Sequence, residues 1–212
     1  MTIKNEGVLL VLSSPSGGGK TTISAKLLEK STNLVRSVSM TTRKPRSGEI
    51  NGKDYFFGEI NGKDYFFVTE ENFHELCEAG QMLEYAKVFE NFYGIPRDFI
   101  EQNLSSGISV LQSIDWQGAF HLLKLMTKEV VSVFILPPSM EELRLRLQKR
   151  NSDDASEIEC RLAAAQKEIS KRDKYDYVII NDDIDKSVEE ISSILYKERL
   201  KKSEEKLSLE GG

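Results

Sequence analysis

A lysine near the N-terminus stands in a setting suited to phosphate chemistry, since it follows three glycines and precedes two threonines. Glycines allow backbone N–H groups to turn inward around phosphate oxygens, and the N-terminus of a following helix adds a favourable partial charge. In such a loop Lys20 reaches the β- and γ-phosphates of ATP, and the Thr21 hydroxyl helps to hold Mg²⁺. The predicted ATP-binding residues are Ser14, Pro15, Ser16, Gly17, Gly18, Gly19, Lys20, Thr21 and Thr22.

The loop departs from the strict phosphate-loop pattern at one position, because Ser14 stands where that pattern begins with glycine. A glycine-rich turn that merely caps a helix would have a similar composition. The predicted order of strand, loop and helix favours nucleotide binding over that simpler interpretation.

A second group of candidate phosphate ligands follows at 39–46, where two arginines lie three positions apart across a proline. Two guanidinium groups that converge on one phosphate bind it through paired, charge-assisted hydrogen bonds. Arg43 and Arg46 are therefore candidates for holding a monophosphate, with the Ser39 hydroxyl just upstream. Taken alone, this stretch fits a solvated basic loop equally well.

The elements that must position these residues alternate between apolar runs and helical patterns. Continuous β-branched runs are typical of a parallel sheet covered on both faces, and the alternation predicts a doubly wound α/β fold. Helical spacing of apolar residues marks 21–30 and 117–126, and Ser139 with Glu142 forms a capping box that begins another helix. The predicted strands are 8–12, 34–39, 64–68, 82–88, 108–114, 130–136 and 177–180.

Composition excludes several function classes. A net charge of −5 argues against a general nucleic-acid binder. Cys77 and Cys160 lie far apart in a chain with two histidines, so neither a zinc site nor a disulfide framework is expected. We see no signal peptide and no apolar run of membrane-spanning length, and therefore expect a cytoplasmic protein without a membrane partner. The charged segment 197–212 is expected to continue a solvent-facing helix and then fray.

One internal repeat is present. Residues 48–57 read GEINGKDYFF, and residues 58–67 repeat these ten letters without change. The unit is too short for a repeat architecture, and each copy contains an Asn-Gly turn signal before a β-prone aromatic end. We interpret it as a local duplication that extends a surface loop or hairpin, at little cost in closure entropy.

Taken in order, eight motifs in this chain resemble the guanylate kinase family. They read SxSxTTRxPRxGE, GxDYxFV, LEYAxVxxNxYG, IDWQGA, PPS, RLxxR, RLAAAxxE and VIINDD. Together with the first strand and the phosphate loop, the resemblance covers residues 8 to 183. The resemblance implies transfer of the γ-phosphoryl group of ATP to GMP, and also to dGMP, with Mg²⁺ as cofactor in purine nucleotide metabolism. It also implies one domain with three parts: a phosphate-loop core (1–35, 96–142 and 161–212), a GMP-binding subdomain (36–95) and a mobile lid (143–160).

The resemblance also assigns roles to single residues. Ser39 and Glu84 would contact the guanine base, and Asp115 would lie between the acceptor site and the metal. Guanine offers N1–H and a 2-amino group to a carboxylate and adenine offers neither, so Glu84 would select guanine. The GMP phosphate would be bound by Arg43, Arg46, Tyr93 and a tyrosine of the duplicated segment, for which we favour Tyr65 over Tyr55.

The remaining assignments concern the donor side. Arg146, Arg150 and Arg161 fall in the segment that resembles the lid and its flanking helix, where closing arginines would stabilise charge on the transferred phosphoryl group. Without the resemblance, the same residues fit an exposed, salt-bridged helix. Asn181 matches a family position near the adenine of ATP.

Three positions depart from the family pattern. Ser113 replaces an acidic residue two positions before Asp115, which leaves that aspartate without its usual carboxylate partner. Ile95 replaces a small hydroxyl residue, and Asn151 replaces a glycine after the lid arginine.

Two alternatives stay open at this stage: a related phosphate-loop kinase with another phosphorylated acceptor, and a guanylate-kinase-like protein-interaction module that has lost catalysis. The sequence also leaves open whether the chain forms an oligomer of identical copies.

Overall fold

The computed structural model describes residues 6–45, 65–88, 90–149 and 155–210, and within them lie nine strands and seven α-helices. The strands are β1 (Leu9–Ser13), β2 (Leu34–Arg36), β3 (Met40–Thr41), β4 (Phe66–Phe67), β5 (Met82–Val88), β6 (Asn91–Pro96), β7 (Ser109–Ser113), β8 (Val130–Leu136) and β9 (Tyr177–Ile180). The helices are α1 (Lys20–Lys30), α2 (Glu70–Glu78), α3 (Arg97–Ser105), α4 (Trp116–Leu125), α5 (Met140–Lys149), α6 (Ala155–Ile169) and α7 (Ile184–Glu210).

A five-stranded parallel sheet in the order β2-β7-β1-β8-β9 forms the centre of the fold. Its central strand β1 is buried along its whole length, as expected for a strand covered on both faces. One face packs against α1 and α7 through Ile23, Leu27 and Ile191, and the other packs against α3 and α4 through Ile100 and Leu122. The predicted doubly wound α/β architecture is confirmed.

A second, four-stranded sheet has the order β4-β3-β6-β5. Strands β5 and β6 form an antiparallel hairpin, whereas β3 pairs parallel to β4 and antiparallel to β6. Helix α2 covers this sheet with the fully buried ring of Phe73. Gly94 lies in the middle of β6 because a Cβ there would come within 3.0 Å of the Phe73 ring.

The single strand predicted at 34–39 is wrong. Its first half, β2, pairs with β7, and the Ser37 N–H still donates to the Leu111 carbonyl at 2.9 Å. The chain then leaves the parallel sheet, and Met40 pairs with Phe66 and Gly94 in the second sheet. The strand predicted at 64–68 is shorter in the structure, where β4 holds only Phe66 and Phe67. Strand β6 and helix α3 were not predicted, because the Gly and Pro in β6 are typical of turns.

Side-chain hydroxyls cap two helix starts, and the cap at Ser139 is the predicted one. The Ser139 hydroxyl accepts from the Glu142 N–H at 3.0 Å, and the Thr69 hydroxyl accepts from the Asn72 N–H at 3.2 Å.

Helix α7 runs without interruption to Glu210, so the predicted helical continuation is confirmed, but one side of it is not solvent-facing. Ser203 is buried and accepts from the Glu6 N–H at 3.2 Å, and the Lys202 ammonium donates to the Gly7 carbonyl at 2.8 Å. The C-terminal part of α7 is therefore packed against the segment that precedes β1. Among the described residues, no helix combines the length and apolar character needed to cross a lipid bilayer.

Candidate active site

The glycine-rich loop connects the carboxyl end of β1 to the N-terminus of α1, which is where parallel α/β sheets bind ligands. Gly17 and Gly19 have φ angles of 88° and 99°, a region that side chains with a Cβ rarely adopt. Gly18 donates its N–H to the Pro15 carbonyl at 2.9 Å, and the Ser14 hydroxyl donates to the same carbonyl at 3.1 Å. The predicted loop is thus a closed turn at the start of a helix.

Lys20 is the first residue of α1, and its ammonium donates to the Ile114 carbonyl at 3.4 Å. Burial lowers the pKa of Lys20, whereas the nearby carboxylates of Glu168 and Asp115 raise it. A bound polyphosphate would supply the negative charge that offsets this desolvation. The arrangement fits a lysine that binds phosphate oxygens.

Thr21 and Thr22 are exposed at the first turn of α1. The described residues include no group of three or more His, Cys, Asp or Glu side chains that could hold a metal ion. Mg²⁺ is commonly held by one or two protein oxygens together with substrate phosphates, so the exposed Thr21 hydroxyl beside the loop fits the predicted magnesium role.

Asp115 follows β7 and caps the N-terminus of α4. Its Oδ1 accepts from the N–H groups of Gln117 at 3.0 Å and Gly118 at 2.9 Å. The cap fixes the carboxylate next to Ile114, whose carbonyl binds Lys20. This geometry supports the predicted place of Asp115 between the donor and acceptor sides, which stays a prediction.

On the acceptor side, Arg43 lies among aromatic rings. Its guanidinium carbon is 5.4 Å from the Tyr65 ring centroid and 5.6 Å from that of Phe67. Tyr93 joins the cluster through an edge contact with Tyr65, at 6.0 Å between centroids. The structure thus brings three predicted phosphate ligands together, while Arg46 lies outside the described residues.

The threonines before Arg43 attach this segment to the second sheet. The Thr41 hydroxyl donates to the Phe92 carbonyl at 2.9 Å, and the Thr42 hydroxyl accepts from the Phe92 N–H at the same distance. These bonds hold the arginine segment alongside β6, which carries Tyr93.

Glu84 on β5 is a buried carboxylate, with 7% of the residue exposed. Burial raises its pKa; Nδ1 of His121, 3.5 Å from Oε1, acts in the opposite direction, and the charge of Asp115 adds to the rise. His121 lies on α4, which packs against β5. A buried carboxylate of this kind has hydrogen-bonding capacity for a ligand that donates two N–H groups.

Ser39 lies between the two sheets, where the buried amide of Gln112 approaches it. Nε2 of Gln112 is 3.4 Å from the Ser39 hydroxyl, and Oε1 has no hydrogen-bond partner among the described residues. Because an amide nitrogen only donates, the Ser39 hydroxyl proton stays available for an acceptor on a ligand. The oxygen at position 6 of guanine is such an acceptor.

The arginines predicted for the lid and its flanking helix are held in different ways. Arg161 of α6 points Nη1 toward the Ser16 hydroxyl of the loop at 3.5 Å. Arg146 of α5 binds Glu142 through Nε at 2.9 Å and the Asn181 carbonyl through Nη2 at 3.1 Å. Arg150 lies outside the described residues, as does Asn151.

The chain is also similar to known proteins. The family model described as guanylate kinase matches residues 6–57 and 58–198. The chain belongs to the guanylate kinase family. The match is interrupted between Phe57 and Gly58, which is the junction of the two repeat copies.

The relatives cover nearly the whole chain. It is 87% identical over 210 residues to a guanylate kinase of Wolbachia pipientis wMel, which spans 99% of this chain and 100% of that protein. A guanylate kinase of Wolbachia sp. subsp. Brugia malayi is 81% identical over 203 residues, or 96% of this chain and 99% of that protein. The chain is therefore an enzyme of this family, which disfavours the interaction module.

A solved structure agrees with the fold. The crystal structure of guanylate kinase from Anaplasma phagocytophilum matches with a TM-score of 0.72 and 46% identity, covering 92% of this chain and 88% of that one.

Two departures from the guanylate kinase pattern have a structural account. Ser113 lies 3.0 Å from the hydroxyl of Ser24 on α1, so the position usually held by an acidic residue is used for a helix contact. Ile95 is buried in the core beside Leu83 and Ile100 and is paired with Glu84. Its side chain therefore stabilises the strand that carries Glu84.

Sequence reasoning missed three side chains at this site: Gln112, His121 and Glu168. In the sequence, Gln112 is not distinguished from the other residues of a buried strand, and the pattern around His121 predicts an exposed helix residue. Glu168 belongs to the quoted motif RLAAAxxE, which was the one available signal. Burial raises its pKa, the positive charge of Lys20 lowers it and Asp115 raises it, so the carboxylate belongs to the electrostatic surroundings of the loop.

Proposed function

We propose that this chain transfers the γ-phosphoryl group of ATP to GMP, and to dGMP, giving ADP and the corresponding diphosphate. The observation that carries the choice of acceptor is the buried carboxylate of Glu84. Guanine donates N1–H and the 2-amino group to such a carboxylate, whereas adenine would leave it buried and unpaired. The names of the relatives point to the same acceptor.

The donor site supplies charge and position. Loop N–H groups and Lys20 bind the ATP phosphates, and Arg161 adds positive charge from α6, close to Ser16. The Thr21 hydroxyl would help to hold Mg²⁺, which would neutralise negative charge on the ATP phosphates. Asp115 and Glu168 shape the field around Lys20.

The acceptor site orients GMP. Ser39 and Glu84 bind the base, and Arg43, Arg46, Tyr65 and Tyr93 bind the phosphate that attacks. That phosphate carries negative charge near neutral pH, so no general base is needed. Proximity and charge stabilisation then supply most of the rate enhancement.

Water is excluded when the lid and the acceptor subdomain close over the bound substrates. We assign 143–160 to a lid whose Arg146 and Arg150 approach the phosphates on closure, 36–95 to the acceptor subdomain, and the rest of this one domain to the core. A closed lid prevents hydrolysis of ATP. As an enzyme of purine nucleotide supply that consumes ATP, the chain is expected to work in the cytoplasm; an oligomer of identical copies is compatible with this scheme.

A coupled ADP-release assay with GMP, dGMP, AMP and a sugar phosphate tests the proposal. We expect GMP and dGMP to be used and the other two to be poor acceptors by several orders of magnitude. A preference for any acceptor without guanine would overturn the assignment.

A further inference from the structure

Asn181 lies at the end of β9, and all of its polar groups are engaged. Only 1% of the residue is exposed. Its backbone N–H donates to the Leu136 carbonyl at 2.8 Å. Its side-chain oxygen lies 3.3 Å from the Ser187 hydroxyl, whose proton it shares with the Asp183 carbonyl at 2.8 Å. Its side-chain nitrogen donates to the Gly18 carbonyl at 2.9 Å. A residue so enclosed has little surface left for a nucleotide base.

The bond to Gly18 falls at a critical peptide of the loop. The C=O and N–H of a trans peptide point in opposite directions, so holding the Gly18 carbonyl on Asn181 turns the Gly19 N–H away from Asn181. Gly17 and Gly19 flank this region with positive φ, and glycine permits both peptide orientations at small cost. Something outside the loop must therefore select one orientation.

The contact at Gly19 is also steric. A Cβ added there would meet the Asn181 side-chain nitrogen at 2.2 Å, so the two residues are in close contact. On the other side of the loop, Gly17 packs against Leu143 and Leu147 of α5. The loop therefore lies between Asn181 and α5, and most of α5 belongs to the predicted lid.

A second bond connects Asn181 to that helix. Its backbone carbonyl accepts from Nη2 of Arg146 at 3.1 Å, while Nε of the same arginine binds Glu142 at 2.9 Å. One buried residue thus contacts both the loop backbone and an arginine of α5.

We propose that Asn181 is a positioning residue of the donor site: its amide fixes the Gly18 carbonyl so that the Gly19 N–H faces the phosphates, and its carbonyl ties the loop to α5. The proposal rests on one part of the proposed function, namely that the glycine-rich loop binds phosphate. It differs from a role near adenine, in which Asn181 would read the base.

The test measures binding with and without a base on the ligand. Asn181→Leu keeps the volume of the side chain and removes its hydrogen bonds. We expect the dissociation constants of inorganic tripolyphosphate and of ATP, measured by calorimetry, to rise by the same factor, about tenfold. The dissociation constant of GMP should change less than twofold.

Controls separate the outcomes. Ser187→Ala removes the hydroxyl beside the Asn181 amide oxygen, together with its bond to the Asp183 carbonyl at 2.8 Å. It should weaken both ligands two- to threefold, on the order of one weak hydrogen bond. Ser192→Ala, on the same helix with its hydroxyl bonded to the Val188 carbonyl, should change neither. The melting temperature and the GMP constant report whether Asn181→Leu is folded; if it is not, Ser187→Ala decides.

Two results would overturn the proposal. Weaker ATP binding with unchanged tripolyphosphate binding would assign Asn181 to the base, and unchanged binding of both would remove it from the donor site. Tripolyphosphate binding does not depend on which acceptor the enzyme uses, so failure of the proposed reaction would be seen separately.

Discussion

The proposed donor and acceptor sides of this molecule are built in opposite ways. The donor loop is one continuous segment, and its glycines, lysine and threonines are neighbours in sequence. The acceptor side is assembled from distant segments: Ser39 meets Gln112, and Glu84 meets His121. A local motif can be read from the chain, whereas an assembled pocket depends on how two sheets and a helix meet.

The two sides also carry opposite charges, and both charged groups are buried. Burial lowers the pKa of the Lys20 ammonium and raises the pKa of the Glu84 carboxyl. In each case desolvation penalises the charged form, and a ligand of complementary charge or hydrogen bonding relieves the penalty. We therefore predict that removing the charged group of one site impairs the function of that site and leaves substrate binding at the other site intact.

The largest expected effect is at the donor side. Lys20→Ala should lower kcat by about a thousandfold or more, because charge stabilisation of the transferred phosphoryl group is lost. Steady-state kinetics with ATP and GMP measure this. Lys26→Ala removes a lysine from the same helix, where it pairs with Asp185 at the surface, and should leave kcat unchanged. Near-normal turnover in Lys20→Ala would contradict the role of the loop.

Glu84→Gln tests the acceptor side alone. The amide cannot accept from both guanine donors, so KM for GMP should rise about a hundredfold while KM for ATP stays within twofold. Glu101→Gln changes an exposed carboxylate of α3 that pairs with Arg97, and it should behave as wild type. Equal losses for both substrates would mean that Glu84 supports the fold and does not read the base.

Tyr65→Phe asks which copy of the duplicated segment binds the GMP phosphate. Loss of one hydroxyl should raise KM for GMP by about tenfold, because one hydrogen bond to a charged group disappears. Tyr55→Phe should have no effect, and Tyr196→Phe, at an exposed position on α7, serves as the surface control. The reverse result for the first two variants would assign the contact to Tyr55.

The smallest effect is a shift in pH dependence. His121 lowers the pKa of Glu84, so His121→Ala should raise that pKa further. Because the ionised carboxylate is the form that accepts from guanine, KM for GMP should begin to rise at a higher pH on acidification and stay near wild type above pH 8. His74→Ala removes the chain's other histidine, which is exposed on α2 beside Glu70, and should leave the profile in place. Identical profiles for the two variants would exclude His121 from the acceptor site.

Much of the fold was predictable because its signals are local. The apolar runs of β1 and β8 indicate a covered parallel sheet, and the Ser139 hydroxyl marks a helix start that the structure confirms. The second sheet was harder to predict. Its strand β6 contains Gly94, which is there to accommodate the Phe73 ring, and a glycine required by a distant side chain resembles a turn residue in sequence.

The same limit applies to the end of the chain. Lys202 and Lys206 read as part of a charged, solvent-facing helix, yet they bind Gly7 and Glu6 near the N-terminus. Nothing local distinguishes a lysine that binds water from one that binds a carbonyl nearly two hundred residues away.

By itself, the sequence determined the phosphate loop, the layered α/β class and the membership of the guanylate kinase family, since each depends on residue types at fixed spacing. Only the tertiary structure placed His121 beside Glu84, Gln112 beside Ser39 and Asn181 against Gly18. Those contacts join residues from separate elements. Their strength comes from burial and from the orientation of hydrogen-bonding groups, which arise only when the elements pack.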